Sequence, residues 1–246
     1  MKRTGLIGAA ALLIVGVNVA TAQTADEIVE KHLAAMGGRE ALTRIRSRVS
    51  TGTVTLTTAV GPVSGTVEGF AKAPNKSRTL VTLDLTSLGA GTIISDQRFD
   101  GTTGYVIDTF NGNRDITGSQ LDVLKNNGFP TVWLDYRTRG LTIALIGKEA
   151  VVGRPTYVLE LTPKTGPRVR AWVDAETFML VKTSTTVDAQ PGGPVEQVTE
   201  YADFRTVDGV KVPFSVKSIN SLQTVAAVLT DVKHNVEIED GLFMKP

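Results

Sequence analysis

Two histidines, no cysteine and a scatter of carboxylates are nearly all that this sequence offers to catalytic chemistry. His32 stands among the apolar neighbours of Lys31-His32-Leu33-Ala34, and His234 lies in Lys233-His234-Asn235 near the C-terminus. An imidazole can act as a general base or a metal ligand, but each role needs partners at a defined spacing. The zinc signature H-E-x-x-H, the serine-nucleophile signature G-x-S-x-G and a Walker-type glycine loop are all absent. Lys164-Thr165-Gly166 copies one element of penicillin-binding enzymes, yet no S-x-x-K supplies a nucleophile, so it reads as a hairpin turn. Gly89-Ala90-Gly91 lacks the third glycine of a nucleotide loop and reads as a loop between strands.

Asp100, Asp108, Asp135, Asp174 and Asp208 remain as possible acids and bases. Asp100 and Asp208 each precede glycine, and Asp174 opens Asp174-Ala175-Glu176-Thr177, where a hairpin must reverse. Short polar side chains at such places usually bond their own backbone. The sequence therefore holds no constellation for covalent or metal catalysis, and no cofactor is expected. With no cysteine, disulfides, zinc ribbons, iron–sulfur sites and lipidation on Cys are excluded. A net charge of +1 gives no electrostatic reason to expect nucleic acid.

The first element is an address. Lys2 and Arg3 precede an apolar stretch from Leu6 to Val19, and Ala20-Thr21-Ala22 ends it in a small-x-small pattern. Residues 1–22 thus read as a secretory signal cleaved between Ala22 and Gln23, and residues 23–246 as one mature domain. No later run reaches the ~20 apolar residues needed to cross a bilayer, so the mature protein is expected to be exported, periplasmic and not membrane-spanning.

Two helices should open the mature chain. Thr24-Ala25-Asp26-Glu27 is a capping-box pattern, Ile28, Val29, His32, Leu33 and Met36 follow at helical spacing, and Gly37-Gly38 stops the helix. A shorter helix is expected over Arg39 to Arg46. Thereafter apolar residues alternate with Thr, Lys, Glu or Asp: Val54-Leu56, Val81-Leu83-Leu85, Leu159-Leu161, Val169-Ala171-Val173, Val210-Val212-Phe214. Thirty-two threonines and thirty valines, about a quarter of the chain, favour strands throughout. Alternation with one apolar face is the pattern of an antiparallel sheet. Ten or eleven strands are expected, more than a flat open sheet usually holds, so the sheet should curl into an unclosed barrel covered by short helices. The expected fold class is mainly β.

One stretch breaks the rhythm. Ser119 to Asn127 reads as a short helix with Leu121 and Leu124 on one face, followed by Phe129-Pro130, Trp133 and Tyr136. These five apolar residues, Leu121, Leu124, Phe129, Trp133 and Tyr136, form either a lid over the open side of the curled sheet or a crossover that plugs its core.

Several segments look familiar as well. The opening Ala25-Asp26-Glu27-Ile28-Val29-Glu30-Lys31-His32-Leu33-Ala34-Ala35-Met36-Gly37-Gly38 resembles the start of exported proteins in the LolA/LolB-like superfamily. Further matches are Leu145-Ile146-Gly147-Lys148-Glu149, Val152-Gly153-Arg154, Trp172-Val173-Asp174-Ala175-Glu176-Thr177, Tyr201-Ala202-Asp203-Phe204-Arg205, Asp208-Gly209-Val210-Lys211-Val212-Pro213-Phe214 and Gly241-Leu242-Phe243. The resemblance implies an unclosed antiparallel barrel whose hydrophobic cavity carries lipoprotein acyl chains in outer-membrane lipoprotein sorting. It implies loading by an inner-membrane transporter and unloading to an outer-membrane receptor. Unlike the receptor type, this chain has no N-terminal cysteine.

The leading expectation is accordingly a periplasmic, non-enzymatic carrier or binder of lipid or an acylated protein. Val54, Leu56, Val81, Leu83, Leu85, Tyr105, Ile107, Leu159 and Leu161 are expected to line its cavity, each taken from one face of a strand. A slip of one residue in register would exchange the faces. A core filled by its own side chains, an envelope sensor that binds a partner's segment, and a carboxylate-based enzyme are the alternatives.

Overall fold

The structure, a computed structural model, describes residues 23–86, 89–189 and 193–246. The expected signal segment 1–22 lies outside the described residues, and so does Ala22 on one side of the expected cleavage point. Helix α1 runs Ala25–Ala35, and its capping box forms as the sequence predicts. Glu27 N–H donates to Thr24 Oγ1 at 3.2 Å, and Thr24 N–H to Glu27 Oε2 at 3.0 Å. Two glycines end it, and α2 (Arg39–Arg44) is shorter than expected because Ile45 already adopts extended backbone.

Among the described residues the strands are β1 (Ser47–Thr58), β2 (Gly61–Lys72), β3 (Lys76–Asp84), β4 (Thr92–Phe99), β5 (Gly104–Asp108) and β6 (Arg114–Ile116), then α3 (Gly118–Asn126). After it come β7 (Thr142–Val151), β8 (Arg154–Thr162), β9 (Val169–Asp174), β10 (Leu180–Ala189), β11 (Gly193–Val207), β12 (Val210–Ile219) and β13 (Thr224–His234). All pair antiparallel in one unclosed sheet of order β6-β5-β4-β3-β2-β1-β13-β12-β11-β10-β9-β8-β7. Thirteen strands exceed the ten or eleven expected. Apolar alternation is weak in some of them: β6 has three residues, and Gly65 and Gly69 interrupt β2.

Two glycines let neighbouring strands approach closely. A Cβ on Gly65 would lie 1.9 Å from Thr82 O, and one on Gly52 of β1 would lie 2.3 Å from Val228 O. Only a residue without a side chain lets neighbouring strands pass so close. Gly52 also stands at a register shift in the pairing of β1 with β13, between Thr51 and Gly52. The C-terminal turn Asp240–Phe243 lies against β3 and β4, with Phe243 buried.

Candidate functional site: the inner face of the curved sheet

Cross-strand register defines one continuous face. Leu56 of β1 pairs with Val225, Val225 with Ser218, Ser218 with Thr199 and Thr199 with Thr183. Thr183 then pairs with Ala171, and Ala171 with Leu159 on β8. In the other direction Val54 pairs with Gly65, Gly65 with Leu83 and Leu83 with Ile93. All these residues therefore point to the same side, the inner face on which the helices lie.

One part of this face is closed. Ile28, Val29 and Leu33 of α1, with Leu42 of α2, pack against Leu159, Val173, Val210, Val212 and Phe214 in a single buried cluster. Each large aliphatic side chain removed from water there contributes ~1.5–3 kcal/mol. Trp133 and Tyr136, from the connection after α3, complete the cluster, and Tyr136 Oη–H donates to Asp26 at the start of α1. His32 is buried here, its Nδ1–H donating to Phe178 O at 2.8 Å and its ring edge-on to Trp133 at 5.1 Å. Burial pushes its pKa down, and the bond to Phe178 offsets part of that shift.

Arg48 and His234 pair across β1 and β13 on the same face. Arg48 Nε–H donates to His234 Nε2 at 3.0 Å, so that nitrogen is an acceptor and the ring proton sits on Nδ1, 3.2 Å from Asp208 Oδ2. Desolvation lowers Arg48 to about 10, and Phe129 lies over its guanidinium, 5.4 Å from the ring centroid.

The other part is bridged instead of filled. Helix α3 buries Leu124 among Phe99, Val106 and Ile116, and its far side reaches the opposite wing. Gln120 Nε2–H donates to Asp188 O, and Asn126 Nδ2–H to Thr165 O, both at 2.8 Å. Under the bridge lies a cavity of about 360 Å3 between α3 and strands β8 to β11. Leu161, Val169, Ala171, Leu180 and Trp133 supply its apolar wall, and Thr183, Thr185, Thr199, Gln197 and Tyr201 its polar one. Among the described residues, no carboxylate, lysine, arginine or histidine lines it.

The carboxylates singled out in the sequence are engaged elsewhere. Asp100 accepts from Thr102 and Thr103, Asp108 from Phe110 and Asn111, and Asp174 from Glu176 and Thr177. Burial pushes each of these three carboxyls up, but the N–H donors outweigh it and the net shift is downward. They are ionised turn residues. Asp135 is exposed, and its carbonyl accepts from Arg139 N–H. Among the described residues, no group of three or more His, Cys, Asp or Glu could hold a metal ion.

Comparison with solved structures adds a fold. A LolA superfamily protein from Nitrosomonas europaea superposes with a TM-score of 0.58 at 16% identity, covering 91% of this chain and 99% of that one. A DUF1329 family protein from Desulfovibrio piger gives a TM-score of 0.56 at 13% identity, over 89% and 97% of the two chains. A domain named for outer membrane lipoprotein sorting, from Vibrio parahaemolyticus, gives 0.55 at 11% identity, over 89% and 95%. The chain has the LolA-like fold. A protein-family model described as "Uncharacterized protein" matches residues 136–246. No curated protein matches the sequence significantly.

Within this LolA-like sheet the residues named from the sequence separate into three groups. Val54, Leu56, Val81 and Leu83 share the inner face of β1 and β3, and Leu85 follows just beyond β3. Leu159 and Leu161 both belong to the α1 cluster, and Leu161 also forms part of the cavity wall. Tyr105 and Ile107 lie on the opposite, outer face. Tyr105 pairs with Arg98 and carries Lys245 over its ring at 4.4 Å, and Ile107 pairs with Asp96, which binds Arg78 and Arg98. Val106 between them points inward to Leu124. The Asp100-Gly101 turn sets this register, and it overrides the strand's own alternation, which sets Tyr105 and Ile107 against Gly104, Val106 and Asp108.

The five aromatic and aliphatic residues of the crossover do not act as one unit. Leu124 packs into the small core with Leu121 against it, whereas Trp133 and Tyr136 belong to the α1 cluster and Phe129 covers Arg48. Val123, Thr183, Thr185, Gln197 and Tyr201 line the cavity without having been singled out. Their alternation, Thr183-Thr185 and Gln197-Thr199-Tyr201, was visible, but threonine and glutamine read as a wet face.

Proposed function

We propose that the protein holds the acyl part of a lipid or of a lipidated protein under α3, as a periplasmic carrier. The observation that carries this reading is the chargeless cavity of about 360 Å3, which pairs an aliphatic wall with a row of hydroxyls. Its size falls in the range of sites for one small ligand, and each methylene buried there contributes ~0.8 kcal/mol. The LolA-like fold is consistent with the same use. Residues 1–22 then serve as a signal removed after Ala22, and 23–246 as the exported domain. Val54, Leu56, Val81, Leu83 and Leu85 extend the apolar lining beyond the bridge, with α3 and the Phe129–Tyr136 connection as its cover. An inner-membrane transporter and an outer-membrane receptor are the proposed donor and acceptor. Among the described residues, no helix is long and apolar enough to cross a membrane.

Native mass spectrometry with organic extraction, on protein purified from the exported fraction without detergent, tests this directly. A discrete added mass that extracts as lipid or acylated peptide is expected, and Val169→Glu should abolish it while the circular dichroism spectrum is retained. A clean apo mass that stays unchanged after incubation with membrane lipids would sink the reading. A second reading, an envelope sensor that captures a partner's extended segment, draws on β7. This ten-residue strand ends the sheet with one edge unpaired, and Ile146 on it is 48% exposed. A stable co-purifying protein without lipid would favour it.

A further inference from the structure

A second cavity, of about 440 Å3, lies on the other side of α3. Its chemistry is different. Gln97, Asn111, Ser119, Gln120 and Gln223 line it with amides and a hydroxyl, and Arg114 of β6 projects from the inner face. Among the described residues, Arg114 Nη1 is buried without a hydrogen-bond partner. The nearest carboxylate, Asp108, is 4.0 Å away and already accepts from Phe110 N–H, Asn111 N–H and Asn111 Nδ2–H. Asp188 also borders the cavity. Val187 faces inward with Thr185, so strand alternation sends the Asp188 carboxylate outward, and its carbonyl accepts from Gln120. A guanidinium with an unused donor, facing neutral amides across the cavity and a carboxylate no nearer than 4.0 Å, is a setting for an anionic oxygen.

The two cavities are neighbours. Val123 of α3 and Gln197 of β11 line both, so the chargeless pocket and the Arg114 pocket adjoin beneath one helix. We infer that the ligand is an anionic amphiphile: its acyl chain occupies the apolar cavity and its phosphate or carboxylate head binds Arg114, with the molecule passing under Val123. This inference rests on the acyl-binding reading above and adds to it the charge and position of the head.

Titration of the mature protein with monomeric dodecyl phosphate, dodecanol, dodecyltrimethylammonium and inorganic phosphate tests it. Dodecyl phosphate should bind about ten-fold tighter than dodecanol, the factor that one charge-assisted hydrogen bond supplies. Arg114→Gln should remove that difference and leave dodecanol affinity unchanged, whereas Arg114→Lys should keep part of it. An unchanged thermal midpoint in both variants excludes misfolding as the cause. Equal binding of the phosphate and the alcohol, or a preference that survives Arg114→Gln, overturns the head-group assignment and leaves the acyl site standing. Binding of inorganic phosphate as tight as that of dodecyl phosphate also overturns it, since the site would then serve a free anion. Failure of every dodecyl compound to bind would overturn the acyl site itself.

Discussion

Leu159 and Leu161 stand two residues apart on β8, point to the same side, and meet different surroundings. Leu159 is fully enclosed in the cluster that α1 covers, whereas Leu161, a buried member of the same cluster, has the cavity beneath α3 on one side. The covering helices account for the contrast. Helix α1 buries four successive-turn side chains, Ile28, Val29, His32 and Leu33, while α3 buries Leu124 alone. A helix with a wide apolar stripe fills the space beneath it. A helix held by one anchor and by hydrogen bonds at its ends spans the space instead. Packing in the first part and room in the second thus come from the helices, on one shared sheet.

The largest effect should separate the two leucines. Leu159→Ala removes a side chain with neighbours on every side and is expected to cost about 3 kcal/mol of stability. Leu161→Ala is expected to cost roughly half as much, because a side chain beside a void has already forfeited contacts on that side. Urea unfolding midpoints compare them directly. Equal losses would mean that the space beside Leu161 is packed, and the contrast would collapse.

A smaller effect should come from pH, and only in the closed part. Burial holds His32 below its ordinary pKa, and burial together with the charge of Arg48 does the same to His234. Once pH falls below about 6.5, the unfolded chain takes up protons that the folded chain refuses, so stability declines until the folded pKa values are reached. Between pH of about 7.5 and 5.5 a loss on the order of 1 kcal/mol is expected, and His32→Gln should reduce it. The downward-shifted Asp100, Asp108 and Asp174 add nothing in this window, since their unfolded pKa lies near 4. Hydrogen exchange locates the effect: α1 amides should exchange faster at the lower pH while α3 amides keep their rate. Equal acceleration in both helices would show that the two parts open as one unit.

The closed part was far more legible in the sequence than the hollow one. The capping box at Thr24 and Glu27, the stripe from Ile28 to Leu33 and the alternation in β8, β9 and β12 each carry an apolar signal that survives into the structure. The unclosed, curved antiparallel sheet followed from the same patterns, although its thirteen strands exceed the ten or eleven expected. The cavity was harder to see because its polar wall is made of Thr183, Thr185, Gln197 and Thr199, residue types that alternation assigns to solvent. Tyr105 and Ile107 show the complementary difficulty. In this short strand Tyr105 and Ile107 make the more apolar set, yet Val106 faces inward, and that information lies in the register set by the preceding turn. Arg114 had no local signal at all, because its position depends on which strand edge meets α3.

The finest distinction lies within α3 itself. Leu124 and Val123 are adjacent, but Leu124 is buried in the small core and half-buried Val123 separates the two cavities. Leu124→Ala should cost about 2–3 kcal/mol, as for an ordinary core leucine, and loosen the helix from β5 and β6. Val123→Ala should cost under about 1 kcal/mol, since its methyls already border open space. The cavities should then merge, and dodecanol should bind several-fold more weakly because the chain loses a wall. Thermal melts and titration on the two variants give both quantities. If the two truncations cost the same, α3 rests on a filled core, and the spaces on either side of it are packing defects with no ligand to hold. If only Val123→Ala alters binding, the helix is a bridge, and its single anchor is what keeps the site open.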